Sequence, residues 1–164
     1  MDTNKIKLKV RKEKVACKKC GEIKEFYYLS DFSYGEKLIP IKDGKGYVYI
    51  NLFEDKIFEE LKEITKMVLE KHNVTLNKLM FAKCLNKLLG LTCDMVENES
   101  ADTINGDKKC KYCGYNKFSS REDLKVAFVD IEVPVVTHFD WNALNENDKL
   151  EVVKNELRNL SYIN

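Results

Sequence analysis

Residues 17–21 read CKKCG and residues 110–114 read CKYCG. With six Cys and seven Gly in 164 residues, a random chain would carry on the order of 0.01 CxxCG motifs. Two copies therefore demand a physical reason. Thiolates at i and i+3 chelate one ion if the chain turns tightly, and a glycine just after the second Cys opens backbone angles closed to other residues. Two such turns supply four sulfurs, the full shell of a tetrahedral Zn²⁺. Cys17, Cys20, Cys110 and Cys113 are thus the expected ligands of one structural zinc per chain. Four cysteines leave no open position for water or substrate, so the site is read as structural and not catalytic. Iron is the alternative ion for the same sulfurs. A pair of redox CxxC motifs is the weaker reading, because neither lies between a strand and a helix.

Working outward, both motifs sit in strand-like sequence. Residues 5–16, KIKLKVRKEKVA, alternate Ile6, Leu8 and Val10 with lysines, which is the period of a half-buried strand. EIKEFYYL (residues 22–29) reads as the returning strand. EKLIPIKDGKGYVYINLF (residues 36–53) reads as a hairpin turning at Asp43-Gly44, with Pro40 confining its strand to an edge or bulge. In LKVAFVDIEVPVV (residues 124–136), Ile131, Val133 and Val135 alternate with Asp130, Glu132 and Pro134. Cys17, Cys20, Gly21, Cys110, Cys113 and Gly114 resemble the paired knuckles of zinc-ribbon and rubredoxin-type sites. The resemblance is confined to the site and its flanking strands. Compact ribbons separate their knuckles by about 15–20 residues, whereas 89 lie between Cys20 and Cys110.

Helical sequence fills that gap. Phe53, Ile57, Phe58, Leu61, Ile64 and Val68 recur at helical spacing, with Glu54 and Asp55 near the start and Lys66 and Lys71 near the end. A second helix is predicted from Thr75 as N-cap to Gly90 as the residue after its C-cap. Its broadly apolar surface over residues 76–89 suits burial or a partner. DMVENESADTINGDKK (residues 94–109) is polar and aperiodic, a mobile loop by expectation, with a turn at Asn105-Gly106. NENDKLEVVKNELRNL (residues 145–160) spaces Leu150, Val153, Leu157 and Leu160 as a surface helix does. The predicted fold class is α+β: a discontinuous zinc ribbon of β-hairpins with an inserted helical pair (about 53–90) and a C-terminal strand and helix (124–162), in one domain spanning residues 1–164.

Charge and composition bound the function. Residues 1–24 carry nine Lys/Arg against three acids, and residues 121–164 carry five against nine. No apolar run approaches the ~18–20 residues of a membrane span, and the first ten residues lack a signal-like apolar stretch. A reducing, cytoplasmic setting is expected, where cysteines serve as ligands and core thiols. Cys84 and Cys93 lack the spacing of ligands, and Cys84 is expected to be buried and inert.

No phosphate loop, dinucleotide fingerprint or nucleophile elbow is present. A nuclease of the HNH kind would need more than His138 near Asp140 and Asn142, and the restriction-type fragment Glu22-Ile23-Lys24 is short enough to be coincidental. No enzyme is expected. The leading expectation is a zinc-stabilised protein-interaction module, a small accessory or adaptor subunit of a larger complex. The alternative is a nucleic-acid-binding zinc ribbon using Lys18, Lys19, Lys109 and Lys111 on phosphates. Those same lysines would also offset the net negative charge of a zinc–tetrathiolate cluster.

Overall fold

Alternation of Lys with Ile6, Leu8 and Val10 produces the longest strand of the molecule, β1 (Lys5–Cys17). The computed structural model describes residues 4–30, 34–42, 46–103, 109–120 and 126–164. β1 is the spine of a four-stranded antiparallel sheet. On one side it pairs with β2 (Ile23–Leu29), in a register that sets Val10 opposite Leu29 and Ala16 opposite Ile23. On the other side, two strands share its length. β6 (Ala127–Pro134) runs along Lys5–Lys12, and the short β5 (Phe118–Ser119) along Ala16 and Cys17. β3 (Glu36–Pro40) and β4 (Tyr47–Asn51) form a separate hairpin. Its predicted turn at Asp43-Gly44 lies outside the described residues. Tyr49 bridges in parallel to Val135, and the Tyr47 ring meets Tyr27 of β2 at 5.4 Å. Buried Val10, Ile39, Val48, Ile50 and Val133 are the apolar centre of these strands.

The helices gather around a second core. α1 (Lys56–Lys71) starts at Asp55, whose side chain accepts from the Phe58 N–H at 2.8 Å. α2 (Lys78–Leu88) runs into a 3₁₀ turn at Leu89–Thr92. α3 (Phe139–Ala143) and α4 (Glu146–Asn159) complete the set. Leu61, Val68, Leu69, Cys84, Leu88, Trp141, Val153, Leu157 and Ile163 form one buried cluster. The lone tryptophan is nearly inaccessible, and its indole N–H donates to Glu60 at 2.8 Å, so the polar edge of the ring is satisfied within the core.

Helices and antiparallel strands are segregated, an α+β architecture. Where the sequence suggests one domain with an inserted helical pair, the chain divides into two compact units. Residues 1–53 and 105–135 make a sheet unit, and residues 54–104 and 136–164 make a helical unit. The inserted pair cannot bury both amphipathic helices by itself, so it is completed by α3 and α4 from the end of the chain.

Several local expectations are corrected. The N-cap of α2 is Asn77, not Thr75; its side chain accepts from the Met80 N–H at 2.9 Å, and Asn is among the strongest capping residues. Leu76 and Phe81 then take the flanking positions of a hydrophobic staple, and both pack against the helical core. Gly90 is the residue after the C-cap, Leu89, as expected, but it does not take a left-handed conformation. It lies within the 3₁₀ turn, where an added Cβ would come 3.0 Å from Thr103 Oγ1 and 3.3 Å from the Ala101 carbonyl. Only part of the α2 surface is apolar core: Cys84, Leu85 and Leu88 are buried while Leu79 and Met80 are exposed.

Within the stretch read as a mobile loop over 94–109, residues 94–103 are organised. Val96 and Glu99 exchange backbone hydrogen bonds across Glu97 and Asn98, both at positive φ, and Ala101 is buried. Polar side chains and turn geometry do this without any hydrophobic period, which is why the pattern is silent. Asn105-Gly106 lies outside the described residues.

Candidate metal centre

Each knuckle is closed by the same two backbone hydrogen bonds. In the first, Cys17 N–H donates to Glu22 O at 2.8 Å and Gly21 N–H to Cys17 O at 2.9 Å; in the second, Cys110 N–H donates to Tyr115 O at 2.7 Å and Gly114 N–H to Cys110 O at 2.8 Å. Gly21 has φ +77° and Gly114 φ +69°. A Cβ at either glycine would meet nothing within 4 Å, so the demand for glycine comes from the backbone alone. Replacing Gly21 or Gly114 by Ala is expected to cost about 1 kcal/mol each, read as a lowered melting temperature with zinc still bound.

β1 delivers Cys17 to the tip of the β1–β2 hairpin, and β5, paired with the end of β1, brings the second knuckle to the same place. The four sulfurs Cys17, Cys20, Cys110 and Cys113 all lie within 4.8 Å of one another. Cys17 and Cys113 are 3.6 Å apart and Cys20 and Cys110 are 3.5 Å apart. A tetrahedron with Zn–S bonds of about 2.3 Å has edges of about 3.8 Å. The donor set therefore fits one tetrahedral ion.

Electrostatics points the same way. The Cys17 thiol is lowered to about 6, chiefly by the backbone N–H of Cys20 and with help from that of Lys19, against desolvation. Cys110 is lowered chiefly by the N–H groups of Cys113 and Tyr112. At Cys20 the Glu22 N–H also acts to lower the value. Desolvation and the three neighbouring sulfurs outweigh it and push the thiol up to about 12. Backbone dipoles thus favour thiolates while mutual repulsion resists the full set. A divalent cation among the sulfurs would remove that conflict.

The remaining cysteines stand apart. Burial pushes Cys84 up to about 11 and Cys93 up to about 12, and Cys93 donates to the Leu89 carbonyl at 3.3 Å. Both are neutral thiols at ordinary pH.

Lys18, Lys19, Lys109 and Lys111 are all exposed around the knuckles, and Lys24 reaches the Lys109 carbonyl at 3.2 Å. Asp130 and Glu132 do share a strand face, as period two requires. They stand opposite Lys9 and Lys7 as cross-strand charge pairs.

His138 and Asp140 are at the start of α3, His138 as its N-cap residue. The two His138 ring nitrogens face acceptors, Nδ1 to the Thr92 carbonyl at 2.5 Å and Nε2 to Asp55 Oδ2 at 2.9 Å. Asp94 accepts from the backbone N–H groups of Phe139 and Asp140 at 2.7 and 2.9 Å. This Asp55–His138–Asp94 network ties helix ends together. Nothing in the local sequence announced it, because its members are far apart in the chain.

No known family model matches the chain, and neither a curated protein nor a solved structure gives a significant match. Among the described residues, no helix is long and apolar enough to cross a membrane.

Proposed function

We propose that the four-cysteine cage holds one structural zinc and that the protein is a zinc-stabilised interaction module, a small accessory or adaptor subunit acting through protein contacts. The observation that carries the metal reading is the approach of all four sulfurs to within one coordination sphere across about 90 residues of sequence. Four thiolates fill that sphere, so the ion would organise the chain and leave no position for a substrate.

Support for a protein partner comes from the way charge is arranged. The basic run of β1 is not an open cationic track: Lys7 and Lys9 lie opposite Glu132 and Asp130, while Lys12 and Lys14 approach Glu25 at 3.5 and 3.6 Å. Positive charge interleaved with negative on both faces of the strand suits a protein better than a phosphate backbone.

Nucleic acid is the second reading, favoured by the grouping of Lys18, Lys19, Lys109, Lys111 and the exposed Tyr112 at the knuckles. Replacing the four lysines by Gln separates the two. As counter-charges of the thiolate cluster, their loss is expected to weaken zinc retention or lower the melting temperature, with little nucleic-acid binding from the start. Binding to DNA or RNA tighter than about 1 μM at physiological salt, abolished in the Gln variant while zinc is retained, would favour the second reading.

A further inference from the structure

The outer face of the four-stranded sheet changes character along its length. Toward the start of β1 its rows are charged, with Lys7 opposite Glu132 and Lys9 opposite Asp130. Toward the knuckles the rows become aromatic. Arg11 is flanked by Tyr28 on β2 and Phe128 on β6, Phe26 stands beside Glu13, and Phe118 stands opposite Cys17. Phe128 is 64% exposed, Val126 54% and Tyr28 43%. Large apolar side chains gathered on a solvated sheet face and rimmed by charge mark an interaction surface.

The rings are not laid out as a stacking platform for bases. The Arg11 guanidinium lies over the Tyr28 ring at 5.3 Å, and the Lys24 ammonium lies over Phe26 at 5.4 Å. Phe118 meets Phe26 edge-on with centroids 5.3 Å apart. These contacts occupy ring surface that a nucleobase would need. Glu13, bonded to Arg11 at 2.8 Å, also sets a carboxylate among the rings, where a phosphate chain would pass. With the knuckle lysines left to the thiolate cluster, cations still prevail at the patch: Arg11, Lys24 and the exposed Lys117 against Glu13 and Glu22. The complement to such a surface is a set of apolar side chains bracketed by carboxylates.

We infer that the aromatic half of this face, centred on Tyr28, Phe128 and Val126 with Arg11 between the strands, is the docking surface for a protein segment that presents apolar side chains flanked by Asp or Glu. The inference rests on the interaction-module reading and adds to it the surface and the chemistry of the partner.

A phage-displayed random peptide library, panned on the zinc-loaded full chain, provides the test. Enriched peptides are expected to combine aromatic or aliphatic residues with Asp or Glu. The tightest of them, synthesised, is expected to shift the amide resonances of Tyr28, Arg11 and Phe128. It should bind at least about tenfold more weakly to Phe128→Ser and to Arg11→Glu, with zinc content and melting temperature unchanged in Phe128→Ser. Peptides that shift other residues and bind Phe128→Ser as tightly as the native chain would overturn the surface assignment and leave the interaction-module reading standing. Failure to enrich any peptide on the native chain would overturn both. Binding of poly-uridine or poly-thymidine at physiological salt, lost in Phe128→Ser, would give the face to nucleic acid and overturn the inference. Self-association in sedimentation, lost in the same variant, would give it to a second copy with the same consequence.

Discussion

Protein stripped of metal by a strong chelator is expected to lose the sheet unit altogether, and each of Cys17→Ser, Cys20→Ser, Cys110→Ser and Cys113→Ser is expected to do nearly the same. Structural zinc binding contributes about 10–16 kcal/mol in small zinc domains, comparable with or above the roughly 5–15 kcal/mol that separates a whole domain from its unfolded state. The site closes a loop of about 90 residues; among the described residues, the second knuckle is otherwise held near the first by the two-residue pairing of β5 with β1, the Lys18 N–H on the Lys117 carbonyl and the Lys24 ammonium on the Lys109 carbonyl. Elemental analysis should find one zinc per native chain and far less in the serine variants.

Cys84→Ser and Cys93→Ser serve as internal controls, since both thiols belong to the helical unit. They should leave metal content unchanged, although a hydroxyl at the fully buried Cys84 should lower the melting temperature of the helices. Native protein purified without chelator and found free of tightly held metal would overturn the zinc reading. Iron in place of zinc would be recognised by its visible absorption and would keep the four-sulfur assignment while changing the ion.

The second large effect is expected in the helical unit. His138 is raised above the ordinary histidine value. Burial opposes the charge, but Asp55, the Thr92 carbonyl and the nearby Asp94 together overcome it. Asp55 and Asp94 are lowered: burial acts against ionisation, and bonds from His138 and Phe58 at Asp55, and from Thr137, Asp140 and Phe139 at Asp94, outweigh it.

A raised histidine contributes stability that is complete below its unfolded value of about 6.5 and is lost as pH rises through the higher folded value. The lowered carboxylates contribute stability that is present above about 3.8 and is lost as pH falls through their folded values. The helical unit should therefore be most stable between these limits and should weaken steadily as pH rises above about 6.5. Asp55→Ala removes both the N-cap of α1 and the partner of a nearly buried imidazolium, so a loss of about 3 kcal/mol is expected near pH 6. His138→Gln should melt lower than the native chain at pH 6 and should flatten the decline above pH 6.5. An unaltered alkaline decline in that variant would show that other groups produce it.

The legible and illegible features of the fold divide by range. β1, α1 and the knuckles declare themselves because each is written within a few consecutive residues: alternating Lys and aliphatic residues, a 3.6-residue stripe, and Cys-x-x-Cys-Gly. Cap identity is not legible around Thr75 because two polar candidates, Thr75 and Asn77, flank Leu76, and only packing of the leucine decides between them. The two-residue β5 is too short to carry a period. The Asp55–His138 pair spans 83 positions, and no local pattern records a contact of that range. Asp55 at a helix start and a lone Trp141 close to His138 were the available hints, and each reads equally well as an ordinary cap and an ordinary core residue.

The separation of the two knuckles also sets a timetable for synthesis. Ribosomes add about 5–20 residues per second, so Cys17 and Cys20 are made roughly 5 to 20 seconds before Cys110 and Cys113, which lie 90 positions or more further along. During that interval the nascent chain offers two thiolates on a hairpin tip, half a coordination shell. Such a half-site can take an ion from the cellular pool only loosely, or be oxidised to a local disulfide that later blocks assembly. β6, the longest partner of β1, emerges after the second knuckle. Commitment of the spine strand therefore waits until both knuckles have been made, and cells short of zinc or under oxidative stress should accumulate this chain in its unfinished form.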